Sequence, residues 1–283
     1  MDEQGRLYIC ATPIGNLGDI TYRVVETLNN VDIIAAEDTR HSLKLLTHFD
    51  IHTPLTSYHE HNKIEKAEKL VNDMLDGKDV ALVTDAGTPA ISDPGEELVR
   101  QAVKAGINVT SLPGACACIT ALTVSALPAR RFAFEAFLPA NKKERDRILS
   151  ELEKETRTII VYEAPHHLKK TLGELNEHLG GDRCISLCRE LTKKHEECIY
   201  TTIEGAIGLY KNNEPRGEYV LVIEGDDPIK RSEDIRKKYL EYSVEEHMKI
   251  YTDQGLDKKE AMKRVAADRG VSKRDIYNML IED

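Results

Sequence analysis

No run of apolar residues in this chain approaches the ~20 that a membrane-spanning helix requires, so no membrane association is expected. The opening Met1-Asp2-Glu3-Gln4-Gly5-Arg6 has neither a basic n-region nor an apolar h-region, which predicts no secretory signal and a cytoplasmic location. The six cysteines, Cys10, Cys116, Cys118, Cys184, Cys188 and Cys198, lack the second matched pair of a zinc site. Reduced thiols and no bound metal are therefore expected. GxGxxG and Gly-Lys-Ser/Thr are also missing, which leaves a nucleoside triphosphate site unsupported. What is present is ordinary: 283 residues, 41% hydrophobic and 31% charged, a globular composition with neither disorder nor collagen in it. The length allows one large domain or two modest ones. The net charge of −10 opposes indiscriminate binding of polyphosphate but permits a local basic patch.

The first 115 residues alternate strand and helix. Apolar strands are predicted at 7–12, 31–36, 80–84 and 109–112. Helical spacing recurs at 21–30, at 63–75 (Ile64, Ala67, Leu70, Val71, Met74), and from Pro94 to about Ala105. Helices between buried strands imply βαβ units and a largely parallel sheet. In the second half, strands at 132–138, 158–162, 183–188, 197–202 and 219–223 accompany helices at 142–154 and 167–179. Several of these connections are too short for a crossover helix, which predicts a mixed sheet. The expected division is 1–115, 116–228, and a strand-free helical tail over 229–283. Within the tail, Leu256–Arg274 carries seven basic and three acidic residues. A helix over 258–268, Gly270, and Ser272 followed by Asp275 outline a helix-turn-helix. A small helical lid is the equal alternative.

Ligands of open α/β sheets sit beyond the carboxyl ends of strands, and four such loops stand out. They are Thr12–Asp19, Asp85–Gly95 with two acids, two glycines and two prolines, Leu112–Cys118 with only small side chains after Gly114, and Tyr162–His167. Glycines let backbone approach a ligand closely, although plain capping and tight packing explain such loops equally well. Adjacent side chains on a helix diverge, so His166-His167 is a weak metal pair. The polar clusters Ser57–Asn62 and Arg189–Glu196 read either as solvated loops or as site elements.

Taken in order, LYICATPIGNLGDI, AAEDTRHS, SYHEHN, VTDAGTPAISDPG, LPGACACITAL, VYEAPHHL, RELTKKHEE and RGEYVLVIEG resemble the tetrapyrrole-methylase superfamily, the class III S-adenosylmethionine methyltransferases. Within it they are most similar to the branch that methylates a ribose 2′-oxygen of a decoding-region cytidine in bacterial small-subunit (16S) rRNA. The resemblance spans about residues 7–225. It implies two α/β domains with S-adenosylmethionine in the cleft between them, a homodimer, and 16S rRNA in the small ribosomal subunit as partner. Carried over by motif, the cofactor contacts fall at Ile14, Asp85, Gly87, Thr88, Cys116, Ala117, Tyr162, Glu218 and Tyr219. The chain departs from superfamily relatives where Thr84-Asp85-Ala86 replaces Gly-Asp-Pro and Cys116-Ala117 replaces paired serines. Methyl transfer to a weakly acidic hydroxyl calls for a base or a cation. The candidates are Glu37, His59, Glu163 and Glu190 as base or base-orienter, and Arg40, Arg189 and Lys193 for phosphate or developing alkoxide. A tetrapyrrole-like small-molecule methyltransferase, a non-catalytic RNA-binding assembly factor, and a metal-dependent hydrolase built on the histidines are the competing expectations.

Overall fold

The computed structural model describes residues 4–282, the side chains at 230–232, 234, 235, 238 and 282 excepted. One compact unit runs to Glu153 and resumes over Arg157–Glu224. The other joins Lys154–Thr156 to the chain from Gly225 onward.

The first unit contains two five-stranded sheets. In the first, β1 (Arg6–Cys10), β2 (Ile33–Ala36), β3 (Leu55–Ser57), β4 (Val80–Val83) and β5 (Asn108–Leu112) lie in the order β3-β2-β4-β1-β5. All four pairings are parallel. The two-residue period of a strand explains why both faces are covered. Leu7 and Ile9 of β1, with Val80 and Leu82 of β4, face α3 (Lys63–Leu75) and α4 (Gly95–Lys104). Cys10, Ala81 and Val83 face the other way, onto α1 (Tyr22–Asn30) and α2 (Thr39–His48). Thr21 caps α1 by accepting the Val24 N–H at 3.2 Å. Pro94, expected just inside α4, precedes it as the cap residue.

The second sheet has the order β6-β7-β10-β8-β9. It is built from β6 (Phe132–Phe137), β7 (Thr158–Glu163), β8 (Cys184–Arg189), β9 (Glu197–Thr202) and β10 (Tyr219–Ile223). Only β6·β7 is parallel; the other pairings are antiparallel, so the sheet is mixed as expected. One face packs on α6 (Lys142–Leu152), α7 (Pro165–Leu179) and α8 (Ile203–Tyr210). The opposite face, with Ile160, Cys188, Val220 and Val222, receives Cys118, Ala121 and Leu122 of α5 (Ala117–Val124), and also Ile14. The β1 loop therefore reaches the second sheet, which brings the strand ends of both sheets to one place. Helix α7 starts two residues earlier than its apolar spacing predicts, because Pro165 is preorganised for the first helical position.

The second unit holds α9 (Pro228–Leu240), α10 (Val244–Asp253), α11 (Lys258–Arg269) and α12 (Lys273–Glu282). Val244, Met248, Ala261, Met262, Val265, Ala266 and Ile276 form its core. Helix α11 ends at Gly270. Ser272 then accepts the Asp275 N–H at 3.2 Å, while Asp275 accepts the Ser272 N–H at 2.9 Å, the reciprocal cap expected from sequence. His247 is fully buried, stacked on Tyr239 at 3.8 Å, and lies 3.2 Å from Asp268. Arg269 donates to its Nδ1, and burial lowers its pKa. No helix among the described residues is long and apolar enough to cross a membrane.

Candidate active site at the converging strand ends

A cleft of about 390 Å³ opens at the carboxyl ends of β1, β2 and β4 and is closed by the second sheet. This is a size at which small-molecule sites are usual. It is lined by Ile14 from the β1 loop, Glu37 after β2, and Thr84–Thr88 and Ile91–Asp93 after β4. Cys116 caps α5 and Ala117 starts it, Phe137 ends β6, and Tyr162 and Glu163 end β7 with Ala164 just beyond. Cys188, Glu190, Leu191, Lys193 and Glu218–Val220 complete the wall. Among these are six carboxylates (Glu37, Asp85, Asp93, Glu163, Glu190, Glu218) and one basic side chain, Lys193.

Backbone bonds fix the two loops that form the floor. Thr12 and Gly87 exchange N–H···O bonds of 2.9 and 3.0 Å in an isolated bridge, and Thr12 Oγ1 donates to the Thr84 carbonyl. Gly87 has φ +85°, and a Cβ there would stand 3.3 Å from Ile14 Cγ2 and 3.5 Å from the Ala115 carbonyl. The turn therefore needs glycine for its backbone and for space. Thr88 Oγ1 donates to Ala115 O at 2.9 Å, tying the β4 loop to the Pro113-Gly114 loop. Asp85 accepts the Asp38 N–H at 3.1 Å, which fixes the start of α2. Tyr162 accepts the Cys118 N–H at 3.0 Å and meets Phe134 and Phe137 edge-on. Burial pushes its hydroxyl pKa up, so it stays neutral. Cys116, 3.4 Å from Cys118, is lowered to about 6, chiefly by the hydrogen bond from the Cys118 thiol.

The polar candidates occupy distinct settings. Glu37 accepts from Thr84 Oγ1 at 2.7 Å through Oε2, and its Oε1 has no hydrogen-bond partner among the described residues. Glu190 Oε1 accepts the Glu218 N–H and Lys193 Nζ, each at 2.9 Å. The Glu218 amide, then Lys193, hold its carboxyl below the ordinary range. Lys193 also reaches Glu218 at 2.8 Å. Burial acts to lower its pKa, but the two carboxylates outweigh burial and raise it. Glu163 has both oxygens committed, to the Ala164 N–H and to Thr171 Oγ1, with Arg145 4.0 Å away.

Arg40 and His59 are not among the cleft-lining residues. Arg40 is 90% exposed and pairs with Asp38 at 3.0 Å; its hydrogen bond to Asp38 lowers that carboxyl to about 2. His59 donates its N–H to Asn62, and its Nδ1 is buried without a partner. Arg189 pairs with Glu197 across the β8–β9 ladder at 3.2 Å. His166 and His167 are exposed in the first turn of α7. No group of three ligating side chains is arranged for a metal among the described residues. Sequence reasoning passed over Phe137, Cys188 and Val220, which reach the cleft from strands and carry no loop signal. A second hollow of about 520 Å³ adjoins the first across Ile14, Thr84–Ala86, Lys193 and Glu218, and adds His41 and Lys44 of α2.

Residues 6–207 match the family described as Tetrapyrrole (Corrin/Porphyrin) Methylases. The chain belongs to this family. Proteins similar to it include "Ribosomal RNA small subunit methyltransferase I" of Halalkalibacterium halodurans, 49% identical over 98% of this chain and 95% of that protein. The protein of the same name from Bacillus subtilis is 46% identical over 98% and 94%. Among solved structures of the family fold, the methyltransferase CobJ superposes with a TM-score of 0.58 at 15% identity, covering 78% of this chain and 94% of that one. The cobalt precorrin-4 methyltransferase CbiF does so at 0.57 and 18%, covering 77% and 94%. At these identities the likeness is one of fold. The cleft lining also suits the family's methyl donor, S-adenosylmethionine. Ile14, Ala117, Leu191, Val220 and the ring of Tyr162 offer apolar walls for a purine and a thioether, and the carboxylates suit hydroxyls, an ammonium and a sulfonium.

Proposed function

We propose that this chain transfers a methyl group from S-adenosylmethionine to small-subunit (16S) ribosomal RNA, at the ribose 2′-oxygen of a decoding-region cytidine. The observation that carries the proposal is the 46–49% identity, over nearly the whole of both chains, to relatives named as small-subunit rRNA methyltransferases. A cytoplasmic homodimer acting on the assembled subunit belongs to the same proposal. The formal charge of −10 makes naked RNA the poorer substrate. We assign 1–115 and 116–228 as the two α/β domains that share the cleft, and 229–283 as the helical tail.

When bound, S-adenosylmethionine supplies a methyl group on a sulfonium, a good leaving group. The chain's own residues do the rest. Ile14, Asp85, Gly87, Thr88, Cys116, Ala117, Tyr162, Glu218 and Tyr219 hold the donor, and alignment with the incoming hydroxyl supplies up to ~7–11 kcal/mol. Glu37 takes the 2′-hydroxyl proton on Oε1. Thr84 orients it through Oε2, which leaves Oε1 for the proton. Glu190 is a poor base because the Glu218 amide and Lys193 stabilise its anion. Lys193 stays cationic and faces both hollows, where it stabilises a phosphate or the developing alkoxide.

The test incubates protein and labelled donor with small subunits from a strain lacking the modification. Label on a cytidine ribose is expected. Glu37→Gln should lower kcat ~10²–10⁴-fold while donor affinity by calorimetry stays within a few-fold. Label confined to a base, or no transfer, would reject the function. An unchanged kcat in Glu37→Gln would reject the base.

A further inference from the structure

Cys188 of β8 lies directly opposite Cys198 of β9 in the antiparallel ladder. Directly opposed residues in such a ladder have Cα atoms ~4.5–5.5 Å apart, inside the ~4.4–6.8 Å that a disulfide spans. Both residues are free thiols, and their sulfurs are 2.8 Å apart. Closing that gap to ~2.0 Å requires no change of register. The neighbouring rung is fixed by the Arg189–Glu197 ion pair. Cys188 is buried and lines the cleft, with its thiol 3.9 Å from the Ala121 carbonyl; Cys198 is partly exposed. Methyl transfer as proposed above uses neither sulfur.

We propose that Cys188 and Cys198 form a redox modification site, a dithiol that a hydroperoxide converts to an intramolecular disulfide and a thiol reductant restores. The more accessible Cys198 sulfur attacks one peroxide oxygen. The O–O bond breaks, water leaves, and Cys198 becomes a sulfenic acid. The Cys188 sulfur then attacks that sulfur, the S–O bond breaks, and a second water carries off the remaining thiol proton. Two thiols lose two electrons to hydrogen peroxide, giving one disulfide and two waters. Burial pushes the Cys188 thiol up, which leaves Cys198 to make the first attack on the peroxide. The bond ties β8 to β9 immediately before the Glu190–Lys193 turn, so the oxidised form has a stiffer cleft wall.

The test treats the full-length protein with hydrogen peroxide, blocks remaining thiols with N-ethylmaleimide, and maps the digest by mass spectrometry. A 188–198 cross-linked peptide is expected in wild type, lost on adding dithiothreitol and absent from Cys198→Ser. Circular dichroism establishes that the variant is folded, and a Cys116→Ser control removes the reactive cleft thiol and should leave the cross-link unchanged. Alkylation of both Cys188 and Cys198 after peroxide would overturn the proposal. So would a sulfinic Cys198 without cross-link. Neither readout depends on methyl transfer, so failure here is distinct from failure of the function.

Discussion

Gly217→Ala tests the geometry that holds the Glu190–Lys193 turn against the cleft. Gly217 has φ +78°, and a Cβ there would stand 2.7 Å from Glu190 Cδ and 2.8 Å from its Oε1. Two separable costs follow. The left-handed backbone costs an alanine ~1–2 kcal/mol. The clash forces the Glu190 carboxylate off the Glu218 N–H, a charge-assisted bond of 2.9 Å worth ~1.5–3 kcal/mol. The partly exposed Lys193 pair adds little. The sum is roughly 3–5 kcal/mol, and at ~2–4 °C per kcal/mol for a unit of this size the expected loss of Tm is about 10 °C. Thermal unfolding followed by circular dichroism should be run on wild type, Gly217→Ala, Glu190→Ala and the double variant. In the Glu190→Ala background the three Glu190 atoms nearest that Cβ are gone, so Gly217→Ala should cost only the backbone share, ~1–2 kcal/mol. An equal cost in both backgrounds would refute the collision and leave strain as the whole effect.

Cys116 should alkylate with iodoacetamide on a pH profile centred near 6, because the Cys118 thiol stabilises its thiolate. Cys118→Ala removes that donor and should move the midpoint up; an ordinary thiol midpoint in wild type would refute the pairing. Arg145→Met leaves the buried Glu163 and Thr171 without the guanidinium that donates to Thr171 at 2.6 Å and to Glu174 at 2.7 Å. A loss of ~3–5 kcal/mol in urea unfolding is expected, against less than 1 kcal/mol if the network is incidental. Lys263, Arg264, Lys273 and Arg274 are all exposed on α11 and α12. Changing the four to alanine should flatten the salt dependence of subunit binding by ~0.7–0.9 in log–log slope for each phosphate no longer neutralised. Identical slopes would leave the tail as a lid.

The two sheets were legible because Leu7–Cys10, Val80–Val83 and Tyr219–Ile223 are apolar runs covered on both faces. Helix α3 matched its spacing at both ends. The misses have physical causes. Strand β3 has three half-buried residues after Pro54 and too little length for a period. Helix α8 follows β9 directly, with Thr202 serving as both last strand residue and cap, so no loop announces it. Helices α9 and α10 are dense in charge, and α10 is set by the Ser243–Glu246 capping box rather than by a long apolar stripe. The loops forming the cleft could be read from their glycines and prolines. The polarity of Arg40 and His59 does not encode direction: Asp38 holds Arg40 at the surface, and Asn62 turns the His59 backbone. Cys188 and Val220 reach the cleft by strand alternation once the sheet is assembled, a relation between distant segments that no local window contains.

The cleft lining counts six carboxylates against a single lysine, with a kinetic consequence under the proposed function. Such a lining attracts a positively charged occupant more than a neutral one. Giving up the methyl group removes the sulfonium charge, so the electrostatic part of its retention weakens at the moment of reaction. The pocket is thereby built to hold its reagent loaded and let it go spent, and turnover should be limited less by departure of the used cofactor than by events at the RNA.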